Sequence, residues 1–154
     1  MTDFDIALDD PEAADVAKVL QAHLDFAREW SLPENVKVLG MKALTAEGVR
    51  FFAARADGRL LAVGALSPFE EDHVEIKSMH TVEAARGRGV GWAMLERLVS
   101  TAYEQGGRRV SLETGTGKAF APARRLYERG GFKICPPFGE YRHCPDSVCM
   151  TRRI

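Results

Sequence analysis

At 154 residues, with 45% hydrophobic and 28% charged side chains, the chain has apolar material for one packed core and too little length for two ordinary domains, so a single domain over 1–154 is expected. Twenty-one basic against 22 acidic residues leave a net charge of -1, which excludes nucleic-acid binding driven by overall charge and makes any anion site local. The acidic start MTDFDIALDDPEAAD and the lack of a long uninterrupted apolar run predict no signal peptide, no membrane partner and a cytoplasmic location.

In chain order, Phe4, Ile6 and Leu8 alternate with polar Asp5 as in a short half-buried strand. Asp10 before Pro11 and Glu12 predicts an N-cap and a helix, whose apolar stripe of Val16, Leu20, Leu24 and Ala27 reaches Trp30. Residues 31 to 48 are ambiguous, Pro33 breaking the pattern and Val36 to Leu44 fitting a loop, a short helix or both. Val49–Ala54, a turn at Ala56–Arg59 and Leu60–Leu66 predict a hairpin around Asp57-Gly58. Pro68 and Glu70-Glu71-Asp72 predict a loop, followed by a strand from His73 to about Val82. A helix from Gly89 to the stop at Gly106-Gly107, a strand over Arg108–Thr114 and a helix over Ala119–Arg129 come next. Phe132–Cys135 and Ser147–Thr151 are predicted closing strands around the Pro136-Pro137-Phe138-Gly139 loop.

The stretch from Met79 to Trp92 carries the most chemistry. A strand there runs through a short loop into a helix whose start holds Gly87, Gly89 and Gly91. Free N–H groups at such a junction converge on one spot, the helix dipole adds positive potential, and Arg86 and Arg88 add charge. That is a phosphate cradle. A dinucleotide fingerprint begun at Gly87 fails because Trp92 stands where a third glycine is needed. Gly115-Thr116-Gly117-Lys118 likewise fails as a nucleotide-triphosphate loop, with Leu112 and Ala119 in the positions of glycine and Ser/Thr.

Arg86-x-x-Gly89-x-Gly91 does match the R/Q-x-x-G-x-G/A coenzyme A loop, and the chain resembles the GCN5-related N-acetyltransferase (GNAT) superfamily, a small bacterial-type single-domain member. The resemblance continues in Glu75–Met79, Leu112–Gly115, Ala121–Tyr127 with Gly131-Phe132, and the tail Pro137–Tyr141 with Ser147 and Met150. It covers about residues 49–154, while the first 48 match only in element order. It implies an α/β (α+β) fold: a mixed, mostly antiparallel sheet of about six or seven strands flanked by helices, with splayed fourth and fifth strands. It also implies acetyl-CoA as co-substrate. Met79 and Thr81, flanking His80, would pair with the pantetheine arm, and the stretch Gly87, Arg88, Gly89, Val90, Gly91 and Trp92 would hold the pyrophosphate with Arg86. Many relatives carry asparagine near position 120; here Phe120 stands there, with Arg124 and Arg125 as substitute phosphate contacts.

An amine attacks a thioester as its neutral form, and an alkylammonium of pKa about 10.4 must first lose a proton. Glu75 precedes Arg86 by eleven residues, the offset of the glutamate base in the histone-acetylating branch, and alternation places it on the strand face of Met79. The plain alternative is a salt-bridged strand glutamate, with water relays supplying the base. Tyr127 matches the family's tyrosine that protonates the leaving thiolate; the alternative is a core aromatic.

His143, Cys144 and Cys149 lack metal-ligand spacing, so no metal is expected and the three cysteines are read as reduced thiols. His80 flanks the pantetheine segment and is open to the opposite face, His23 is read as partly buried, and Glu70-Glu71-Asp72 as a solvated loop or an acidic mouth for a cationic amine. The expected function is acetyl transfer from acetyl-CoA to a primary amine of a small molecule or peptide, by direct attack in a ternary complex. The alternatives are a non-catalytic acyl-CoA sensor and a transferase of longer acyl groups. A homodimer is compatible with all three.

Overall fold

The computed structural model describes residues 3–30 and 41–154. Among these residues, seven strands and four α-helices follow one another as β1 (Asp5–Leu8), α1 (Ala14–Trp30), α2 (Met41–Thr45), β2 (Arg50–Ala56), β3 (Arg59–Glu70), β4 (His73–Thr81), α3 (Val90–Glu104), β5 (Arg109–Gly115), α4 (Ala121–Arg129), β6 (Lys133–Cys135) and β7 (Ser147–Arg153). The sheet order is β1-β2-β3-β4-β5-β7-β6, antiparallel throughout except for the parallel β4/β5 pair. The mixed, mostly antiparallel sheet with splayed central strands is thus present. Of the ambiguous stretch, Met41–Thr45 is helical and 31–40 lie outside the described residues.

Helix α1 begins later than the cap pattern predicts. The Asp10 carboxylate accepts the Glu12 N–H (2.8 Å), and the Ala13 N–H reaches Asp10 O (3.1 Å), so residues 10–13 close a turn before the helix. Arg55 of β2 then ties the junction down through Asp9 (2.8 Å) and Asp15 (2.6 Å). The β2/β3 hairpin turns at Asp57 (φ 51) and Gly58 (φ 78), a two-residue left-handed turn whose twist suits the strands. Beyond it β3 continues to Glu70, through residues read as a loop. Its pairing with β2 ends at Arg50↔Leu66, so Pro68 has a strand on one side only and its missing N–H costs no ladder bond on the other.

Both sheet faces are covered, which is why β2 and β3 read as near-continuous apolar runs. One face packs Phe52, Leu66, Ile76 and Leu112 against Met94, Leu95 and Leu98 of α3. The other packs Phe51, Ala53, Val63 and Ala65 against Val16 of α1 and Leu44 of α2. Helix α3 approaches β3 so closely that a Cβ at Gly64 would stand 2.9 Å from Leu98 Cδ1. Among the described residues, no helix is long and apolar enough to cross a membrane.

Candidate active site

Strands β4 and β5 pair only over His73↔Arg109, Val74↔Val110 and Glu75↔Ser111. Past that vertex β4 runs on to Thr81 and β5 to Gly115 without pairing, and a cleft of about 940 Å³ opens between them. Its walls come from α1, β4, the loop before α3, the end of β5, α4 and the segment around Tyr141. Main-chain groups of β4 that would have paired with β5 are left for an extended ligand, as in strand addition. The vertex itself is held by a chain of side chains: His73 Nε2 to Ser111 Oγ (2.7 Å), Ser111 Oγ to Thr151 Oγ1 (2.7 Å), and Arg109 Nε donating to Thr151 Oγ1 (2.9 Å).

A bulge in β4 changes which side chains share a face. Ala65 pairs with Lys77 and Val63 with His80, so three steps on β4 oppose two on β3, and Ser78 takes a left-handed φ of 54. Before the bulge Glu75 and Lys77 lie on the α1/α2 face; after it His80 does, while Met79 joins the α3/α4 core. Glu75 and Met79 therefore lie on opposite faces. Plain alternation, which puts them together, does not allow for the inserted residue.

At one end of the cleft, Gly87 (φ 77) and Gly89 (φ 79, the N-cap of α3) hold backbone shapes that glycine adopts freely. A Cβ added at either would meet nothing within 4 Å, so the loop surrounds open space before a helix N-terminus, which fits a bulky pyrophosphate. Gly91 is tighter, its Cβ position lying 3.3 Å from Thr81 Oγ1. Met79, His80 and Thr81, then Arg86, Gly87, Gly89, Val90, Gly91 and Trp92 all border the cleft. Arg86 also donates back to Thr81 O (3.4 Å), and Arg129 lies over the Trp92 ring at 4.9 Å. Arg88 is exposed and off the wall.

Phe120 borders the cleft as an aromatic plate. Its ring lies directly over Gly115, where a Cβ has no room, and meets Phe26 of α1 edge-on at 5.1 Å. Arg124 is occupied elsewhere: its guanidinium donates to Gly115 O (2.7 Å) and Gly117 O (2.9 Å), clamping the end of β5, while neighbouring Arg125 borders the cleft.

Tyr127 is 7% exposed, borders the cleft and meets Phe132 edge-on at 6.1 Å. Burial pushes its phenol up to about 12, so it keeps its proton at neutral pH. Glu75, 6% exposed, stands behind the wall. Its Oε2 accepts the Tyr141 hydroxyl and its Oε1 lies 3.6 Å from Lys77 Nζ, both partners bordering the cleft. On the same sheet face, His80 meets His23 of α1 at Nδ1···Nδ1 3.1 Å. One ring must donate and the other accept, so the two carry opposite tautomers. Burial, then His23 and Arg86, push His80 down to about 4, and burial lowers His23.

Sequence reasoning assigned no role to Lys77 or Tyr141 and left His23 as a partly buried helix residue. The only signal for Tyr141 was its place in the resembling tail. Among the described residues no cluster of three or more His, Cys, Asp or Glu is arranged to hold a metal ion.

The profile of the Acetyltransferase (GNAT) family matches residues 16–132. The uncharacterised N-acetyltransferase YsnE of Bacillus subtilis (strain 168) is 36% identical over 149 residues, 97% of this chain and 99% of that protein. A putative acyl-CoA N-acyltransferase from Klebsiella pneumoniae superposes with a TM-score of 0.83 at 26% identity, covering 97% of both chains. A GNAT family acetyltransferase from Elizabethkingia anophelis, solved with acetyl-CoA bound, shares the fold over 100% of both chains with a TM-score of 0.72 at 15% identity. With the splayed strands, the glycine loop and the cleft between them, these likenesses place the chain in the GNAT family, as an acetyl-CoA-dependent acyltransferase.

Proposed function

We propose that the chain moves the acetyl group of acetyl-CoA to a primary amine of a small molecule or peptide, by direct attack within one ternary complex. The observation that carries this reading is the continuity of one cleft from the glycine loop, past the unpaired edge of β4, to Tyr127 and to the Tyr141 hydroxyl that Glu75 accepts. A single passage joins an anion cradle, a thioester position and proton-handling groups.

In this reading the amides between Gly87 and Trp92 hold the pyrophosphate, with Arg86 beside them, and the edge of β4 from Met79 to Thr81 pairs with the pantetheine arm. A main-chain N–H near Met79 donates to the thioester oxygen, where negative charge develops during attack. Glu75 is the base that receives the amine proton. Tyr127, held protonated by burial, gives its proton to the departing sulfur. Phe120 adds an apolar surface where a polar contact to the coenzyme is common in the family.

Two measurements test the reading. Thiol release from acetyl-CoA, screened over amino acids, polyamines, other small amines and peptide N-termini, is expected with at least one class; release with none of them favours a binding-only sensor. Gly89→Glu places a carboxylate and a strained φ in the cradle, so acetyl-CoA affinity by calorimetry is expected to fall at least about tenfold, or roughly 1.4 kcal/mol. Unchanged affinity would remove the pyrophosphate from this loop.

A further inference from the structure

The base in the reading above does not itself border the cleft. Glu75 is 6% exposed, and each carboxylate oxygen is turned to a side chain that does: Oε2 to the Tyr141 hydroxyl, Oε1 to Lys77 Nζ at 3.6 Å. Among the described residues, these two groups offer a path from an amine in the cleft to the carboxylate. An ammonium has protons but no lone pair, so Lys77 cannot receive it. A phenol can receive at oxygen while giving up its own proton, and Tyr141 already donates that proton to Glu75.

Tyr141 is also held in place. Its N–H bonds Phe138 O (3.0 Å) and its ring meets Phe138 edge-on at 5.0 Å. Phe138 in turn packs against Phe69 (5.5 Å) and His73 (5.8 Å), at the β3/β4 turn and next to the vertex of the cleft. Among the described residues, the titratable groups that act on it include Glu75 from β4, Glu113 from β5 and Cys149 from β7. Burial first, then Glu75, raise the phenol far above its ordinary value, so it rests as a neutral donor to Glu75.

Resting on the acetyl-transfer reading, we propose that Tyr141 is a catalytic proton relay, taking the amine proton at its oxygen while passing its own to Glu75. As the nitrogen lone pair forms the C–N bond to the thioester carbonyl carbon, the N–H proton moves to Tyr141 Oη and the Tyr141 proton moves to Glu75 Oε2. The C–S bond breaks with its electron pair going to sulfur, which takes the Tyr127 proton. Once product has left, Glu75 returns its proton to Tyr141 Oη as Tyr141 releases one to water in the cleft, and Tyr127 takes a proton from the same water, which closes the cycle.

Tyr141→Phe keeps the ring and its stacking but removes the relay. With an amine found by the thiol-release screen, kcat is expected to fall roughly 100-fold while acetyl-CoA affinity stays unchanged. Glu75→Gln is expected to fall similarly, and the double variant no further than the worse single one, because both act on one proton path. In mixtures of light and heavy water the wild-type rate is expected to curve with deuterium fraction, reporting two protons in flight, and the Tyr141→Phe rate to become linear. A Tyr141→Phe kcat within about twofold of wild type overturns the relay, as do losses that multiply in the double variant. If Tyr141→Phe also loses acetyl-CoA affinity, the wild-type isotope curve decides, and a straight line overturns the relay. A wild type that releases no thiol with any amine overturns the transfer reading and the relay together, whereas an active wild type with an equally active Tyr141→Phe overturns the relay alone.

Discussion

Tyr127 sits where two demands meet, since the same ring fills the core beside Phe132 and borders the cleft. Burial serves both: it adds apolar packing and, by disfavouring the phenolate, keeps a proton on oxygen. Tyr127→Phe retains the packing and loses the proton, so acetyl-CoA affinity is expected to hold while kcat falls about 10- to 100-fold, measured as thiol release. Affinity falling in step with kcat would make the hydroxyl a binding group. Much of this residue's position was legible, because Tyr127 lies five residues before Phe132 at the end of an amphipathic helix and its neighbours are close in sequence. Tyr141 and Glu75 are 66 residues apart, and His23 and His80 are 57 apart; no local pattern announces either contact. Arg124 shows the opposite limit. Its charge suggested phosphate, but two carbonyls at the end of β5 lie closer, at 2.7 and 2.9 Å.

Among the elements, β4 does the most to shape the site. It pairs with β5 for three residues and then diverges, and the bulge at Ser78 turns His80 to the α1 side and Met79 to the α3 side. A non-glycine residue at φ 54 carries a cost of roughly 1–2 kcal/mol, so a β-branched side chain there is disfavoured and glycine favoured. Ser78→Val is expected to lower stability by about 1–2 kcal/mol in urea unfolding and to reduce transfer by misplacing Met79 and His80. Ser78→Gly is expected to keep stability at or above wild type. Equal midpoints for the two variants would show that the bulge is not held by this dihedral. The strand itself was readable from the alternation of Val74 and Ile76 against Glu75 and Lys77. The bulge was not, since an inserted residue looks like any other until a partner strand counts against it.

Across the whole molecule, three imidazoles are held below their ordinary range. His23 is lowered by burial, His73 by burial and Arg109, and His80 to about 4 by burial, His23 and Arg86. In the unfolded chain each binds a proton near pH 6.5, so below that pH the unfolded state takes up protons that the folded state refuses. Their contribution is complete above about pH 6.5 and is lost as pH falls toward 4. The urea midpoint is therefore expected to drop between these limits, and His80→Gln to show a shallower fall; a midpoint flat over that interval would contradict the burial of these rings. With a net charge of -1, the proposed pyrophosphate site draws its field from one loop and one helix start. That much lay in the sequence alone. Element order, the hairpin turn, the glycine loop and the family resemblance all depend on residues close along the chain, where spacing sets geometry. Only the tertiary structure decided that Glu75 accepts the Tyr141 hydroxyl, that Phe120 meets Phe26 and that two histidines share a hydrogen bond, because each of these joins strands or helices whose proximity comes from sheet order and two-sided packing.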